Sequence, residues 1–211
     1  WRLRTRNVPR GFGWIMGLLF GFRKPKYEAL GGDLAGEVSE VGSGVQGFRV
    51  GDRVVANLGM KLGGHAQYKV LRENSTVAKI PSAISFESAA ALVFGGSTAL
   101  SFLRDKMKIQ PGDRLLVIGA GGAVGSAAVQ LGKIFGAVVT GVCGGDKAEG
   151  VSELGASRVI DYRKVNWREG AERYEGILDT VGEVTFENSR HLLTPRGRIG
   201  LVVADLPATL K

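Results

Sequence analysis

Apolar and polar positions follow two different patterns, one in the first 80 residues and one in the remainder of the chain. Between residues 30 and 80, short and partly alternating apolar segments are separated by glycine-rich turns. Such closely spaced segments are typical of a small β-barrel or sandwich. The strands predicted here are Leu34–Val41, two short segments on either side of a Gly51-Asp52 turn, Gln67–Leu71 and Thr76–Ile80.

Helical periodicity begins after Pro81. Ser85 is a suitable N-cap, because its hydroxyl can accept a hydrogen bond from the first turn of a helix. We expect the Gly95-Gly96 pair to interrupt this helix, because glycine is a poor helix former. A second helix is then predicted from about residue 97 to residue 107, before a turn at Pro111-Gly112-Asp113.

In the last hundred residues, apolar strands alternate with segments of helical spacing. The predicted strands are Leu115–Ile118, Val138–Val142, Val159–Tyr162, Gly176–Thr180 and Arg198–Val203. One helix is indicated by apolar residues at Val124, Ala128, Leu131 and Phe135, and a shorter one is predicted at Lys147–Leu154. This alternation predicts an α/β domain with a doubly wound parallel sheet.

A glycine-rich loop connects the first of these strands to the first helix. The loop runs from Gly119 to Gly125, with the sequence GAGGAVG. This strand–turn–helix context is the one in which glycine loops bind the pyrophosphate of a dinucleotide. Gly122 would let the pyrophosphate approach the backbone, and Gly125 would let the helix pack closely on the strand. A tight turn without a ligand is the alternative.

The end of the second strand indicates which dinucleotide is bound. An NAD site usually carries Asp or Glu about 20 residues beyond the loop, to bind the ribose 2′-hydroxyl. Here the strand ends at Cys143-Gly144-Gly145, with no acid at its tip. Lys147 follows and could contact a 2′-phosphate, so the sequence favours NADP(H). Two alternatives stay open: Asp146 facing the ribose, and Lys147 as an ordinary solvated lysine.

Composition excludes several other kinds of site. A single cysteine excludes an intramolecular disulfide and cysteine-rich zinc modules. His65, His191 and Cys143 show no metal-ligand spacing, so no metal site is predicted. Cys143 is interpreted as a small residue beside the cofactor, because no histidine lies near it in sequence to activate a nucleophile. No apolar run is expected to reach the ~20 residues that span a bilayer.

Charge is concentrated at the beginning of the chain. The formal net charge is +8, and residues 1–26 hold seven basic residues and no acidic one. The near-neutral remainder argues against a nucleic-acid partner. The sequence begins at Trp1 rather than at methionine, and it stops soon after the fifth predicted strand, where a six-stranded dinucleotide fold would continue. We therefore expect a fragment that lacks both ends of a longer protein. The apolar run at 11–22 is interpreted as a covered loop, with a substrate-pocket lid or an interfacial patch as alternatives.

Motifs along nearly the whole chain, in the right order, resemble the medium-chain dehydrogenase/reductase superfamily. They are Leu30-Gly31-Gly32-Asp33-Leu34-Ala35-Gly36-Glu37-Val38, Val50-Gly51-Asp52-Arg53-Val54, Gly64-His65-Ala66-Gln67-Tyr68, Ala120-Gly121-Gly122-Ala123-Val124-Gly125 and Asp179-Thr180-Val181-Gly182. Within the superfamily, the chain is most similar to the zinc-free quinone oxidoreductase group. Zinc-bearing relatives have Gly-His-Glu where this chain has Gly31-Gly32-Asp33, so a histidine ligand is missing.

The resemblance implies two domains with NADPH between them. Residues 1–82 would form a GroES-like (chaperonin-10-like), β-rich catalytic domain that is truncated at its N-terminus. Residues 83–211 would form a Rossmann domain that is truncated at its C-terminus. The implied cofactor contacts are Thr98, Val181, Leu201 and Val203 near the nicotinamide, Ala120, Gly121, Gly122, Ala123 and Val124 at the pyrophosphate, Cys143 and Gly144 beside the cofactor, and Lys147 and Tyr162 at the 2′-phosphate.

The function implied is zinc-independent transfer of a hydride from NADPH to a quinone or an α,β-unsaturated carbonyl. These acceptors are already electrophilic, so positioning would supply most of the catalysis. No catalytic residue is assigned; Tyr68 is a proton donor by residue type only, and strand packing is its expected role. A cytoplasmic homodimer is expected for the full-length protein. The alternative is a non-catalytic NADPH-binding scaffold or regulatory protein with the same fold.

Overall fold

The computed structural model describes Leu18 and residues 29–203 of the chain. The described residues fall into two compact units, one ending at Phe94 and the other beginning at Gly95. The domain boundary expected after residue 82 rests on the resemblance and stays a prediction. Apart from Leu18, the apolar run at 11–22 lies outside the described residues, as do the seven basic residues at positions 1–26.

The bounds of the elements follow the chain in order. The strands are β1 (Asp33–Glu37), β2 (Arg53–Asn57), β3 (Val77–Lys79), β4 (Arg114–Ile118), β5 (Val138–Cys143), β6 (Arg158–Asp161), β7 (Tyr174–Asp179) and β8 (Leu193–Leu201). The α-helices are α1 (Phe86–Leu100), α2 (Ala123–Ile134), α3 (Ala148–Glu153) and α4 (Phe186–Ser189). A π-helical segment, Ser101–Lys106, continues α1, and 3₁₀ turns occupy Gly59–Lys61, Gly145–Lys147, Trp167–Glu169 and Arg190–Leu192.

The first unit contains an antiparallel sheet in the order β1-β2-β3. On the central strand, Val54 and Ala56 are buried and alternate with half-exposed neighbours, as expected for a sheet that covers a core with one face. The strand predicted at Thr76–Ile80 is confirmed as β3. The strand predicted at Leu34–Val41 is confirmed in its first half only, because β1 ends at Glu37.

The strand predicted at Gln67–Leu71 is wrong, because this segment has no regular structure. Its alternating apolar residues are exposed, with Tyr68 exposed to 78 % and Val70 to 95 %. Alternation produces a strand only where one face is covered, and these side chains are not buried against the rest of the described chain. The packing role expected for Tyr68 is therefore also wrong.

Arg53 explains why a charged residue follows the Gly51-Asp52 turn. Its guanidinium donates hydrogen bonds to the carbonyl oxygens of Pro81, Ser82 and Ile84, at 3.0, 2.9 and 2.7 Å. The same group lies 4.4 Å from the ring centroid of Phe86. These contacts fasten β2 to the segment that leads into α1.

Helix α1 begins as predicted but is not interrupted by its glycines. The backbone N–H of Ser88 donates to the Ser85 hydroxyl at 3.1 Å, which confirms Ser85 as the cap. The break expected at Gly95-Gly96 is wrong, because the helix runs through both residues. A Cβ on Gly95 would lie 2.6 Å from the carbonyl oxygen of Ala123, so this glycine permits a close backbone approach.

Phe86–Lys106 is long and apolar enough, by length and composition, to cross a membrane. The helix has 21 residues, and the mean hydropathy of its most apolar window is 1.3. The expectation that no segment reaches this length is therefore wrong. A single helix of this kind is weak support for a span, because core helices of soluble proteins meet the same criteria.

The second unit is built on a five-stranded parallel sheet in the order β6-β5-β4-β7-β8. On β4, Leu115 and Val117 belong to one buried cluster, and Leu116 and Ile118 to a second one. Both faces of the central strand are thus covered, as parallel sheets require. This order is the doubly wound arrangement, so the predicted fold class is confirmed. Strands β5 and β6 are added on one side of β4, and β7 and β8 on the other side. In doubly wound sheets, ligands bind in the crevice at the carboxyl ends of the strands where the order changes side in this way.

Tyr174 gives the second unit an alkaline pH dependence. Its side chain is buried, and burial together with the hydrogen bond that its hydroxyl donates to Glu172, 2.9 Å away, raises the pKa of Tyr174 from 10.0 to about 12. The folded state holds the phenolic proton more tightly than the unfolded state, so this contribution is present below pH ~10 and is lost as pH rises to ~12. Urea denaturation between pH ~10 and ~12 should show that the free energy of unfolding falls more steeply with pH for the wild type than for Tyr174→Phe. Equal slopes would contradict the assignment.

Candidate functional site

The glycine loop lies at the carboxyl end of β4, where it is tied to the neighbouring strand. The backbone N–H groups of Gly119 and Ala120 both donate to the carbonyl oxygen of Val142, at 3.0 and 2.9 Å. Gly119 has a φ of +79°, a conformation that favours glycine. The N–H of Gly122 donates back to the Gly119 carbonyl oxygen at 3.0 Å and closes the turn before α2.

Gly125 and Gly122 are glycines for different physical reasons. A Cβ on Gly125 would lie 2.1 Å from the carbonyl oxygen of Gly119 and 2.8 Å from Cα of Ala120, so the helix packs directly on the loop. A Cβ on Gly122 would meet only the Gly119 oxygen, at 3.4 Å. The fold would therefore tolerate a side chain at Gly122. Because glycine has none, the backbone at this position is open to a ligand.

The N-terminus of α2 has the features of a phosphate site. Gly122 is the N-cap residue and makes no side-chain hydrogen bond to the first turn. The first N–H groups of a helix have no partner within the helix, and the helix dipole adds partial positive charge there. The first turn of α2 also carries no acidic residue. These residues fit the pyrophosphate of a dinucleotide.

Lys147 is brought to the glycine loop from the turn after β5. Its Nζ donates to the carbonyl oxygen of Gly121 at 3.3 Å, and its Cδ lies 2.5 Å from where a Cβ on Gly121 would be. The side chain therefore lies along the loop, with its ammonium group exposed on the carboxyl edge of the sheet. Cys143, at the end of β5, is buried, and burial raises the pKa of its thiol. A raised pKa does not suit a nucleophile.

A pocket of about 590 Å³ opens beside this loop, at the carboxyl ends of β4, β5 and β7. Tyr162 and Val181, two of the predicted cofactor contacts, both line it. The other lining residues are Ile118, Gly119, Val142, Arg163, Lys164, Val165, Asn166, Trp167, Arg168 and Glu183. The volume is within the usual range for small-molecule and cofactor sites.

The remaining predicted residues lie at the same edge of the sheet or on α1. Leu201 ends β8, and Val203 lies 3.5 Å from where a Cβ on Gly182 would be. Gly144 is buried directly after β5. Thr98 is half-buried in the last turns of α1. The structure therefore groups most of these residues around the loop and the pocket, and their cofactor contacts stay predictions.

Asp179 and Thr180 hold the pocket wall but do not appear among the predicted site residues. The Asp179 carboxylate is fully buried and accepts hydrogen bonds from the backbone N–H groups of Val181, Gly182 and Val184, at 2.8, 3.0 and 2.7 Å. The Thr180 hydroxyl donates to the Ile118 carbonyl oxygen at 2.9 Å. An acid directly after the apolar pair Ile177-Leu178, at the carboxyl end of the strand, is the sequence signal that could have revealed this role.

The described side chains do not fit a catalytic zinc ion. His65 is exposed, and Nε2 of His191 lies 2.7 Å from the carbonyl oxygen of Arg168. Asp33 accepts a hydrogen bond from the Asn57 side chain at 3.0 Å, and burial raises the pKa of its carboxyl. Within residues 29–203, no three His, Cys, Asp or Glu side chains lie together as a metal site would need. Zinc independence stays a prediction.

Comparison with known proteins identifies the family. Residues 12–82 match the alcohol dehydrogenase GroES-like domain, and residues 123–209 match the zinc-binding dehydrogenase family. A quinone oxidoreductase of Pseudomonas aeruginosa is 38 % identical over 208 residues, covering 92 % of this chain and 62 % of the relative. The chain belongs to the medium-chain dehydrogenase/reductase superfamily, as a quinone oxidoreductase-like member. The resemblance drawn from the sequence motifs is thereby confirmed.

Solved structures of similar proteins share this fold. Escherichia coli quinone oxidoreductase, crystallised with NADPH, superimposes with a TM-score of 0.68 at 32 % identity, over 94 % of this chain and 64 % of that one. The CurK enoyl reductase gives a TM-score of 0.77 at 28 % identity, over 93 % and 63 %. The chain spans between half and two thirds of the length of these relatives.

Proposed function

We propose that this chain carries the dinucleotide site of an NADPH-dependent oxidoreductase that reduces quinones or α,β-unsaturated carbonyls. The observation that carries the proposal is the open backbone at Gly122, with Lys147 lying along the same loop. Two comparisons support it. The E. coli quinone oxidoreductase structure contains NADPH, and the CurK protein is an enoyl reductase. Neither zinc nor an ionised nucleophile is required from the described residues.

Each part of the site has a role in binding. The N–H groups at the start of α2 bind the pyrophosphate. The pocket beside the loop holds the dinucleotide, with Tyr162 at its adenosine side and Val181 at its nicotinamide side. The ammonium group of Lys147 contacts the 2′-phosphate. When bound, NADPH supplies a hydride, and quinones and enones accept it without a Lewis acid. The protein's contribution is to hold the dinucleotide in a fixed position and to exclude water around it.

Replacing Lys147 by alanine should weaken NADPH binding by about 1–3 kcal/mol, the usual worth of a hydrogen bond to a charged group. NADH lacks the 2′-phosphate, so its affinity should change little. Titration of the protein with both dinucleotides measures the ratio of the two dissociation constants. Lys133→Ala, which removes an exposed lysine at the far end of α2, is the matched control. An unchanged NADPH/NADH ratio in Lys147→Ala would remove this residue from the site.

The reductase activity is tested by following NADPH absorbance with a panel of quinones and enones. Oxidation of NADPH by at least one acceptor is expected. Tight NADPH binding without oxidation by any member of the panel would contradict the reductase and favour a scaffold or regulatory protein. Absence of binding would contradict both. The homodimer and the cytoplasmic location stay predictions, as do the small-molecule acceptor and the absence of a nucleic-acid partner.

A further inference from the structure

Asp146 and Arg163 form an ion pair at the corner where β5 and β6 end. Nη2 of Arg163 lies 3.0 Å from Oδ1 of Asp146. The two residues follow neighbouring parallel strands, in which Cys143 pairs with Asp161, so their side chains meet at the same sheet edge. The pair lies over Gly144: a Cβ on this residue would be 2.7 Å from the Asp146 oxygen and 2.9 Å from the Arg163 nitrogen.

This corner is the place where dinucleotide sites read the adenosine ribose. An acid there accepts hydrogen bonds from the 2′-hydroxyl of NAD, whereas a cation there binds the 2′-phosphate of NADP. Asp146 by itself would favour NAD and repel a 2′-phosphate. Pairing with Arg163 occupies one carboxylate oxygen and neutralises its charge. The open question of whether Asp146 faces the ribose thus depends on Arg163.

The other charged groups at the corner strengthen this dependence. Asp161 adds a second carboxylate, which lies 2.5 Å from where a Cβ on Gly145 would be and accepts the Arg163 backbone N–H at 3.0 Å. Lys147 supplies one positive charge and Arg163 the second. The guanidinium of Arg163 also lies 5.8 Å from the ring centroid of Tyr162, in the wall of the pocket. Without Arg163, the corner would keep two acids, with Lys147 on the loop and Lys164 in the pocket wall as the remaining lysines.

We propose that Arg163 determines the preference for NADPH by neutralising Asp146 and binding the 2′-phosphate with its remaining donors. A guanidinium has five N–H donors in a planar fork, so it can hold a carboxylate and a phosphate at once. The pair is more than half exposed on both sides, and exposed pairs contribute little to folding. We therefore assign the pair a role in ligand binding rather than in folding. This inference rests on the proposed function, because it concerns the same dinucleotide site.

Four variants test the inference through dissociation constants for NADPH and NADH. Arg163→Gln should weaken NADPH about tenfold or more, since a charge-assisted contact is lost and an acid is exposed, and should leave NADH unchanged or slightly tighter. Asp146→Asn should act in the opposite direction and raise the NADPH/NADH preference. The double variant should recover part of the NADPH affinity lost in Arg163→Gln. Arg158→Gln, which breaks the exposed pair with Glu172 at the other end of β6, is the control and should change neither constant.

Adenosine 2′,5′-bisphosphate and adenosine 5′-monophosphate isolate the 2′-phosphate from the nicotinamide. Arg163→Gln should bind the bisphosphate more weakly than the wild type does, and its affinity for the monophosphate should be unchanged. Equal preference in wild type and Arg163→Gln, with NADPH still bound, would overturn this inference and leave the proposed function standing. Wild-type protein that binds neither dinucleotide would overturn both. Unchanged melting temperatures in the variants would establish that the effects arise in the site.

Discussion

Replacing Asp179 by alanine is expected to lower the free energy of unfolding by about 3–5 kcal/mol. The carboxylate of Asp179 is completely buried and accepts hydrogen bonds from three backbone N–H groups. A buried donor left without a partner costs about 1–3 kcal/mol. The Val184 N–H is buried, whereas those of Val181 and Gly182 are partly buried, so water offsets part of the sum. Urea denaturation followed by circular dichroism measures the loss.

Replacing Asp179 should also disturb the wall of the pocket. The three donors belong to Val181, Gly182 and Val184, and Val181 lines the pocket wall. Any variant that stays folded should therefore bind NADPH more weakly than the wild type.

Two further variants separate the buried carboxylate from a carboxylate in general. Asp179→Asn keeps the shape and one acceptor oxygen but turns an amide N–H₂ toward backbone donors, so an intermediate loss is expected. Asp113→Ala removes a carboxylate that accepts one backbone N–H, from Gln110 at 2.8 Å, in a surface turn. This control should lose less than about 1 kcal/mol. A stability of Asp179→Ala equal to that of Asp113→Ala would contradict the role assigned to Asp179.

The parallel sheet was predictable because both of its faces are buried. Strands such as β4 must then be continuously apolar, and this signal is independent of their neighbours in space. Residues 30–80 lack it. The segment Gln67–Leu71 alternates like a strand, yet its apolar side chains are exposed, so the pattern alone misleads. Alternation reports a possible buried face, and only tertiary packing decides whether that face is covered.

Glycine was the other source of error, because its effect depends on the partner that approaches it. At Gly95, the missing side chain admits the backbone of Ala123, which lies 28 positions further along the chain, so the local sequence does not reveal this contact. In the loop after β4, the same residue type was interpreted correctly. There the strand before and the helix after supply the context that local propensity lacks.

The candidate site was predictable where a motif fixes the geometry. The glycine loop and Lys147 lie side by side, with the lysine Nζ 3.3 Å from the Gly121 carbonyl oxygen, and their contacts with a cofactor stay predictions. The pairing of Asp146 with Arg163 was not predicted, because it joins residues from two different strand ends. Knowledge that β5 and β6 are neighbours would have placed both side chains at one corner.

Gly125→Ala is expected to lose stability, whereas Gly122→Ala is expected to keep its stability and lose affinity for NADPH. In Gly125→Ala, the new Cβ would press on the backbone of Gly119 and Ala120, at 2.1 and 2.8 Å, and neither atom can rotate away. We expect a loss of about 3 kcal/mol in the free energy of unfolding. Gly122 has a φ of −95° and a ψ of 173°, which any residue adopts, and its new Cβ would meet one oxygen at 3.4 Å. Gly122→Ala should stay within about 0.5 kcal/mol of the wild type.

The affinity for NADPH should be reduced in Gly122→Ala even though its stability is kept. The Cβ of Gly122→Ala would stand where the pyrophosphate approaches the backbone, so NADPH affinity should fall about tenfold or more while the fold is kept. Gly150→Ala is the matched control: this glycine lies in α3 with nothing within 4 Å of its Cβ position. Alanine there should raise stability by about 0.5–1 kcal/mol and leave binding unchanged. A Gly122→Ala protein that binds NADPH as the wild type does would contradict the placement of the pyrophosphate against Gly122.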